Sequence, residues 1–230
     1  MAAIKKHDFV EIEYTGRVKE DNTIFDTTEE KVARENDAYS KDADYSPIVI
    51  CVGENNVLKA LDDNLIGKEP GREYTFEISH ENAFGKKDAR LLQLIPLSKF
   101  KQQNIQPMPG LQLNIDGVFG IVKTVSGGRC YVDFNHPLAS KDLVYSVNIK
   151  RIVEDVKEQL TSLLKMHLHI SNAEIELKDG SAGIKTADEL PKKAQEEFKK
   201  IALRTIPSVK NVEFGVPKDK KEEGKQPEVK

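Results

Sequence analysis

The stretch Tyr14–Thr28, YTGRVKEDNTIFDTT, decides how this chain is read. It continues DFVEIEYTGRV, where Val10, Ile12 and Tyr14 fall on one side of an extended chain and Glu11 and Glu13 on the other. That period-two alternation is the pattern of a half-buried strand. A second strand should close at Phe25, and there an acid, Asp26, follows the large aromatic. A carboxylate in such a place is costly unless it is hydrogen-bonded, and a tyrosine tip in a core needs a partner too. A bond from the Tyr14 hydroxyl to Asp26 would satisfy both.

Outward from this stretch, SPIVICVG reads as a buried strand closed by Gly53. NVLKALDDNLIG then sets Val57, Leu61 and Leu65 on one helical stripe, with Gly67 as its stop signal. PGREYTFEISHENAFG turns at Pro70-Gly71 and alternates Tyr74, Phe76 and Ile78. These runs predict a sheet of five to six antiparallel strands on one short helix.

From Lys87 to Asn135 the texture changes to short strands apolar on both faces, interrupted by prolines and a Ser-Gly-Gly turn. DLVYSVNIKRIV then restores alternation, with Leu143, Tyr145, Val147 and Ile149 on one face. That strand looks like the missing partner of the first sheet, so the middle segment is an insertion in a surface loop, where insertions cost little. Beyond Ile152, Val153, Val156, Leu160, Leu163 and Leu164 follow helical spacing, and NAEIELKDGSAGIKT offers two strands around Asp179-Gly180. Leu190, Ala194, Phe198 and Ile201 stripe a second helix that Asp188 is placed to cap, and NVEFGV gives a last strand. The tail, Pro217 to Lys230, reads as solvated and disordered.

The 230 residues carry 35 Lys and Arg against 38 Asp and Glu, a net charge of −3. This balance is no electrostatic footprint for nucleic acid or an anionic membrane. No apolar run spans a bilayer and the N-terminal residues carry no signal-like segment, so a cytoplasmic location is expected. Cys51 and Cys130 lie in strand-like runs without ligand spacing and read as reduced core residues. No phosphate loop, GxSxG or HExxH is present. His167 and His169 would share a face on a strand, a weak metal signal, or simply mark a helix-to-strand junction. No metal or other cofactor is implied.

What coheres is an apolar set around one acid, and for each apolar member a plain core role competes. YTGRVKEDNTIFDTT, PIVICVGENNVLKALDDNLIGKEPGREYTFEISHENAFG and DLVYSVNIKRIV together resemble the FKBP-type peptidyl-prolyl cis/trans isomerases. LLQLIP…YVDFNHPLAS resembles the insert-in-flap module of the SlyD-like branch, and the C-terminal extension is similar to that of the long archaeal type. The resemblance implies an α+β chain: an antiparallel half-barrel wrapped on a short helix, an inserted small all-β domain and a C-terminal α+β domain. The corresponding ranges are 1–86 with 135–153 for the isomerase domain, 87–134 for the insert, 154–216 for an α-β-β-α-β domain, and 217–230 for the tail.

It further implies a proline-binding groove with Tyr14, Asp26, Phe84 and Tyr145 in catalytic places and Phe25, Ile48, Val57, Leu58, Leu61, His136 and Leu138 binding substrate. Leu61 stands where tryptophan is frequent in the family, Ile48 where an aromatic is common, and Phe84 where tyrosine is usual. His136 is either a groove residue or a turn residue beside Pro137. The implied activity is isomerisation of X-Pro bonds in unfolded or partly folded chains, with chaperone activity from the insert. The rival is a chaperone whose groove holds peptides without turning them over. Small modules often gain stability by association, so the C-terminal segment is expected to support a homodimer or to cradle clients.

Overall fold

The computed structural model describes residues 3–115 and 117–215, so the Pro217–Lys230 tail lies outside the described residues. Along the chain come β1 (Phe9–Val18), β2 (Ile24–Thr27), α1 (Glu30–Glu35), β3 (Ile48–Cys51), α2 (Lys59–Leu65) and β4 (Arg72–Ile78). Next are β5 (Leu92–Pro96), α3 (Leu97–Gln102), β6 (Gln112–Ile115), β7 (Val118–Ser126), β8 (Arg129–Asp133) and β9 (Leu143–Ile152). The C-terminal elements are α4 (Val156–Leu168), β10 (Glu174–Lys178), β11 (Ser181–Lys185), α5 (Lys192–Thr205) and β12 (Asn211–Gly215). The fold is mixed α+β with mostly antiparallel sheets. It divides into two compact units, one of residues up to Arg17, Thr23–Phe76 and from Val144 onward, the other of Val18–Asn22 and Glu77–Leu143.

In the first unit, β1 is the long central strand of a five-stranded sheet ordered β2-β1-β9-β4, with β3 also paired to β1. Antiparallel register puts Gly16 opposite Asp26 and Ile12 opposite Ile48. Val10 and Ile12 are fully buried, as the alternation requires, and so are Leu143, Val147 and Ile149 of β9. The outer face of β1 and β3 is covered as well. Phe9 and Cys51 share one core cluster with Leu160, Leu163 and Leu164 of α4 and Phe198 and Ala202 of α5. This two-sided burial is why IVIC reads as a continuous apolar run rather than an alternating one.

The C-terminal elements follow the order helix-strand-strand-helix-strand. Asp155 caps α4 by accepting the Glu158 N–H at 2.8 Å. Asp179 and Gly180 both take positive φ, 48° and 80°, as a two-residue hairpin turn demands. β11 and β12 are parallel, with α5 as the crossover. That helix starts with Pro191 at its cap position and without a side-chain cap, so the capping role expected of Asp188 is not found.

In the second unit, β5-β8-β7-β6 form an antiparallel four-stranded sheet around Phe100, Leu113, Val122, Cys130 and Val132. The stretch expected to be all-β also forms α3, whose Phe100 supplies the largest side chain of that small core. No helix among the described residues is long and apolar enough to cross a membrane.

Candidate active site

β1 and β2 bring the motif residues together in the first unit. The Tyr14 hydroxyl donates to Asp26 Oδ2 at 2.8 Å. Asp26 itself is exposed, so the carboxylate keeps water on one side while tyrosine holds it on the other. Threonines fix the register that makes this possible. The Tyr14 N–H donates to Thr28 Oγ1 at 2.9 Å, and the Thr15 and Thr27 hydroxyls meet at 2.8 Å. Burial first, and Asp26 second, push the Tyr14 hydroxyl well above the ordinary tyrosine range, so it stays protonated and remains a donor.

Three rings surround the acid. Phe25 meets Tyr145 edge to face at 5.6 Å and 84°, and Tyr14 lies 6.0 Å from Tyr145. Gly16 permits this crowding: a Cβ there would come within 2.7 Å of the Phe25 ring and 2.9 Å of Tyr145. Tyr145 is 4% exposed, and burial, followed by Asp26, pushes its hydroxyl up to about 12.

Val57 and Leu58 do not join the helix as the stripe predicts. They precede α2, which begins at Lys59 with Leu58 extended at its cap position. The reason is Asp62, only 1% exposed, whose carboxylate accepts the Gly53 and Asn55 N–H groups at 2.8–3.1 Å. It pins the chain in a turn at residues 53–55. Asn56 Oδ1 adds a bond from the Cys51 N–H at 2.9 Å. Val57, Leu58 and Ile48 are half-buried, whereas Leu61 has no exposed surface. Sequence reasoning passed over Asp62, Thr28 and Gly16. An acid in the first turn of the helix, next to the apolar stripe, is the available signal for the first.

Phe84, His136 and Leu138 belong to the second unit. Phe84 stacks flat on His136, with centroids 4.1 Å apart and planes 4° from parallel, and is 36% exposed. His136 Nδ1 accepts the Leu138 N–H at 3.2 Å, the geometry of a turn residue. The two chain crossings of this unit are stitched together. His80 Nδ1 sits 2.7 Å from Asp142, Lys87 Nζ is 2.9 Å from Asp133, and Asn135 Oδ1 accepts the Asp88 N–H at 2.7 Å. Asp133 is buried, which raises its pKa, but bonds from Lys87 and Asn135 outweigh that and hold the carboxyl below the usual range.

His167 lies in the last turn of α4 and His169 takes the left-handed cap position after Leu168, so the two do not share a strand face. Among the described residues no group of three or more His, Cys, Asp and Glu is placed to hold a metal ion.

The short-type peptidyl-prolyl cis-trans isomerase of Methanocaldococcus jannaschii is 33% identical over 149 residues, covering 65% of this chain and 94% of that protein. This chain is an FKBP-type peptidyl-prolyl cis-trans isomerase. The family model of that description matches residues 2–115, and one described as FKBP26, IF domain, matches residues 93–138. A probable FKBP-type 16 kDa isomerase of Pseudomonas fluorescens is 35% identical over 111 residues, 46% of this chain and 73% of its own. The FKBP-type isomerase SlyD of Vibrio cholerae is 27% identical over 133 residues, 56% of this chain and 63% of its own. The isomerase is therefore SlyD-like and carries an insert, and its substrates are peptidyl-prolyl bonds.

Proposed function

We propose that the isomerase twists X-Pro bonds of unfolded or partly folded chains at a groove walled by Phe25, Ile48, Val57 and Leu58, with Leu61 supporting it from the core. The barrier is amide resonance, lost at the 90° twist, so no nucleophile or metal is required. The planar amide is the more polar state, and an apolar groove therefore raises it more than the twisted one, while fixed dipoles favour the twisted one directly. In this reading Asp26, held by Tyr14, directs its field at the carbonyl region and moves no proton. Tyr145 offers its protonated hydroxyl as a donor. The resemblance also assigns substrate-binding places to Phe84, His136 and Leu138.

The observation that carries this reading is the Tyr14–Asp26 bond beside the Phe25–Tyr145 edge contact. An exposed acid oriented by a half-buried phenol is a preorganised dipole that still faces solvent, where a substrate can meet it.

The finer assignments are part of the same proposal. Residues 1–86 with 135–153 act as the isomerase domain and 87–134 as a chaperone domain that captures clients. Its exposed Leu94, Met108, Val118 and Phe119 supply apolar surface for an unfolded chain. Residues 154–216 support a homodimer, to be tested by light scattering; a chain that stays monomeric over a broad concentration range refutes it. Partners are proline-containing polypeptides in the cytoplasm, without nucleic acid or membrane, and no cofactor takes part. Proline-limited refolding by the full chain and by a chain lacking residues 87–134 tests the whole: no acceleration by either overturns it.

A further inference from the structure

The C-terminal helices grip β3 and its flanking loops at three points, each leading into a residue of the proposed groove wall. Among the described residues β3 pairs with β1 alone, so its other edge presents backbone groups in need of partners. Ser162 of α4, 8% exposed, supplies one: its hydroxyl donates to the Val49 carbonyl at 2.5 Å. One turn on, Lys165 Nζ lies 2.5 Å from Asp44, in the loop that feeds Ile48. Beyond the strand, Arg204 of α5 pairs with Glu54, whose side chain is 9% exposed and also lies 3.4 Å from His7 Nε2. Glu54 sits in the turn that Asp62 fixes from within, and Val57 and Leu58 follow it.

Packing runs with these bonds. Val49 and Cys51 lie in the cluster that α4 and α5 build, while Ile48 and Ile50 alternate to the opposite face. A half-buried wall residue on a short strand or turn has no rigidity of its own. Its place is set by what anchors the backbone on either side, and small misplacements at a binding wall are felt strongly.

We propose that Ser162 and Arg204, with a lesser part for Lys165, are positioning residues for the isomerase, acting through β3 and the Glu54 turn to set Ile48, Val57 and Leu58. This rests on the reading of those three residues as groove wall, and it gives the C-terminal segment a part in substrate binding. The ranking follows from exposure. Lys165 and Asp44 are both well exposed, and such pairs contribute little; Glu54 is nearly buried, so losing its partner matters.

The test uses the full chain with Arg204→Met, Arg204→Lys, Ser162→Ala and Lys165→Met. Lys185→Met serves as a control on the same segment, since Lys185 pairs with Glu174 and Glu176 instead. Measured are Kd for an X-Pro tetrapeptide by NMR titration, the exchange rate at saturation, and Tm. Arg204→Met and Ser162→Ala should weaken Kd by about three- to tenfold while the saturated rate stays within about twofold. Arg204→Lys should restore most of the affinity, and Lys185→Met should leave Kd unchanged. A lowered Tm with unchanged Kd in Arg204→Met and Ser162→Ala would reduce the grip to plain stability and overturn the proposal. Should Ser162→Ala not fold, Arg204→Met and its lysine rescue decide alone. Asp26→Ala serves as reference. If it is inactive and Arg204→Met is silent, only the positioning role falls; if it is fully active, the groove reading falls and the positioning role with it.

Discussion

Gly16 and Asp26 stand opposite each other across the β1–β2 pair, and that register joins the two halves of the motif. The residue before Asp26, Phe25, lays its ring where a Gly16 side chain would be, and the residue two before Gly16, Tyr14, reaches the acid. YTG and FD are therefore one packing solution. Neither half holds its geometry without the other.

Gly16→Ala tests that solution. Its Cβ would fall 2.7 Å from Phe25 Cζ and 2.9 Å from Tyr145 Cε1, so both rings must shift. Overpacking of this kind costs about 1–3 kcal/mol, and the expected outcome is a folded, less stable protein with isomerase activity reduced at least about tenfold. Unchanged activity with native ring chemical shifts would mean that the Phe25–Tyr145 contact plays no part in the reaction.

Asp26→Ala should lower activity on X-Pro tetrapeptides by at least about tenfold, in the range expected when one preorganised electrostatic partner is removed. Tyr14→Phe should cost less, because the acid remains and only its orientation is freed. Near-equal losses in the two variants would show that the bond, rather than the acid, is what the reaction needs.

The first sheet was legible because its strands alternate and its turn residues are glycines and prolines. The Tyr14–Asp26 bond was legible for a related reason: two polar groups in an apolar setting each needed a partner. What the sequence hid were contacts between distant segments. Asp62 looks like one more charge on a helix with acidic neighbours, yet it is buried and fixes a turn seven to nine residues away. Ser162 looks like an exposed helix polar residue until the β3 edge is placed beside it. Helix α1 escaped because EEKVARE carries too few apolar residues to show a period; its exposed Arg34–Glu30 and Lys31–Glu35 pairs support it instead.

Stability should respond to alkali in a defined direction. Burial, then Glu54 and Asp62, push the Cys51 thiol from its ordinary 9.0 up to about 12, and burial with Asp26 moves Tyr145 from 10.0 to about 12. Both groups hold their protons more tightly folded than unfolded. Stability is thus intact below pH 9, starts to fall as the unfolded thiol ionises, and falls faster above pH 10, where Tyr145 and the still more strongly raised Tyr14 hydroxyl both contribute. Chemical unfolding between pH 7 and 12 measures this, and Cys51→Ala should shrink the fall that begins near pH 9, leaving the part due to the Cys130 thiol, which burial also raises. A curve for Cys51→Ala that parallels the native one from pH 9 would refute the assignment, as would rapid alkylation of Cys51 in the folded protein at pH 8.

The division of labour between groove and insert can be separated by substrate length. If the groove performs the twist and the insert captures, replacing residues 87–134 with a short flap should spare activity on a tetrapeptide. That substrate is too short to engage a second site, so tethering gives it nothing. Proline-limited refolding of a whole protein should fall by roughly 10²-fold or more, since linking two weak sites commonly yields gains of ~10²–10⁴. Suppression of client aggregation should fall with it, because the exposed Leu94, Met108, Val118 and Phe119 are removed. Asp26→Ala should do the reverse, harming the tetrapeptide reaction while leaving aggregation suppression nearly intact. Both activities are measured on both variants with folding verified by circular dichroism. Parallel loss of both activities in each variant would mean that a single surface does both tasks, and the separation would be false.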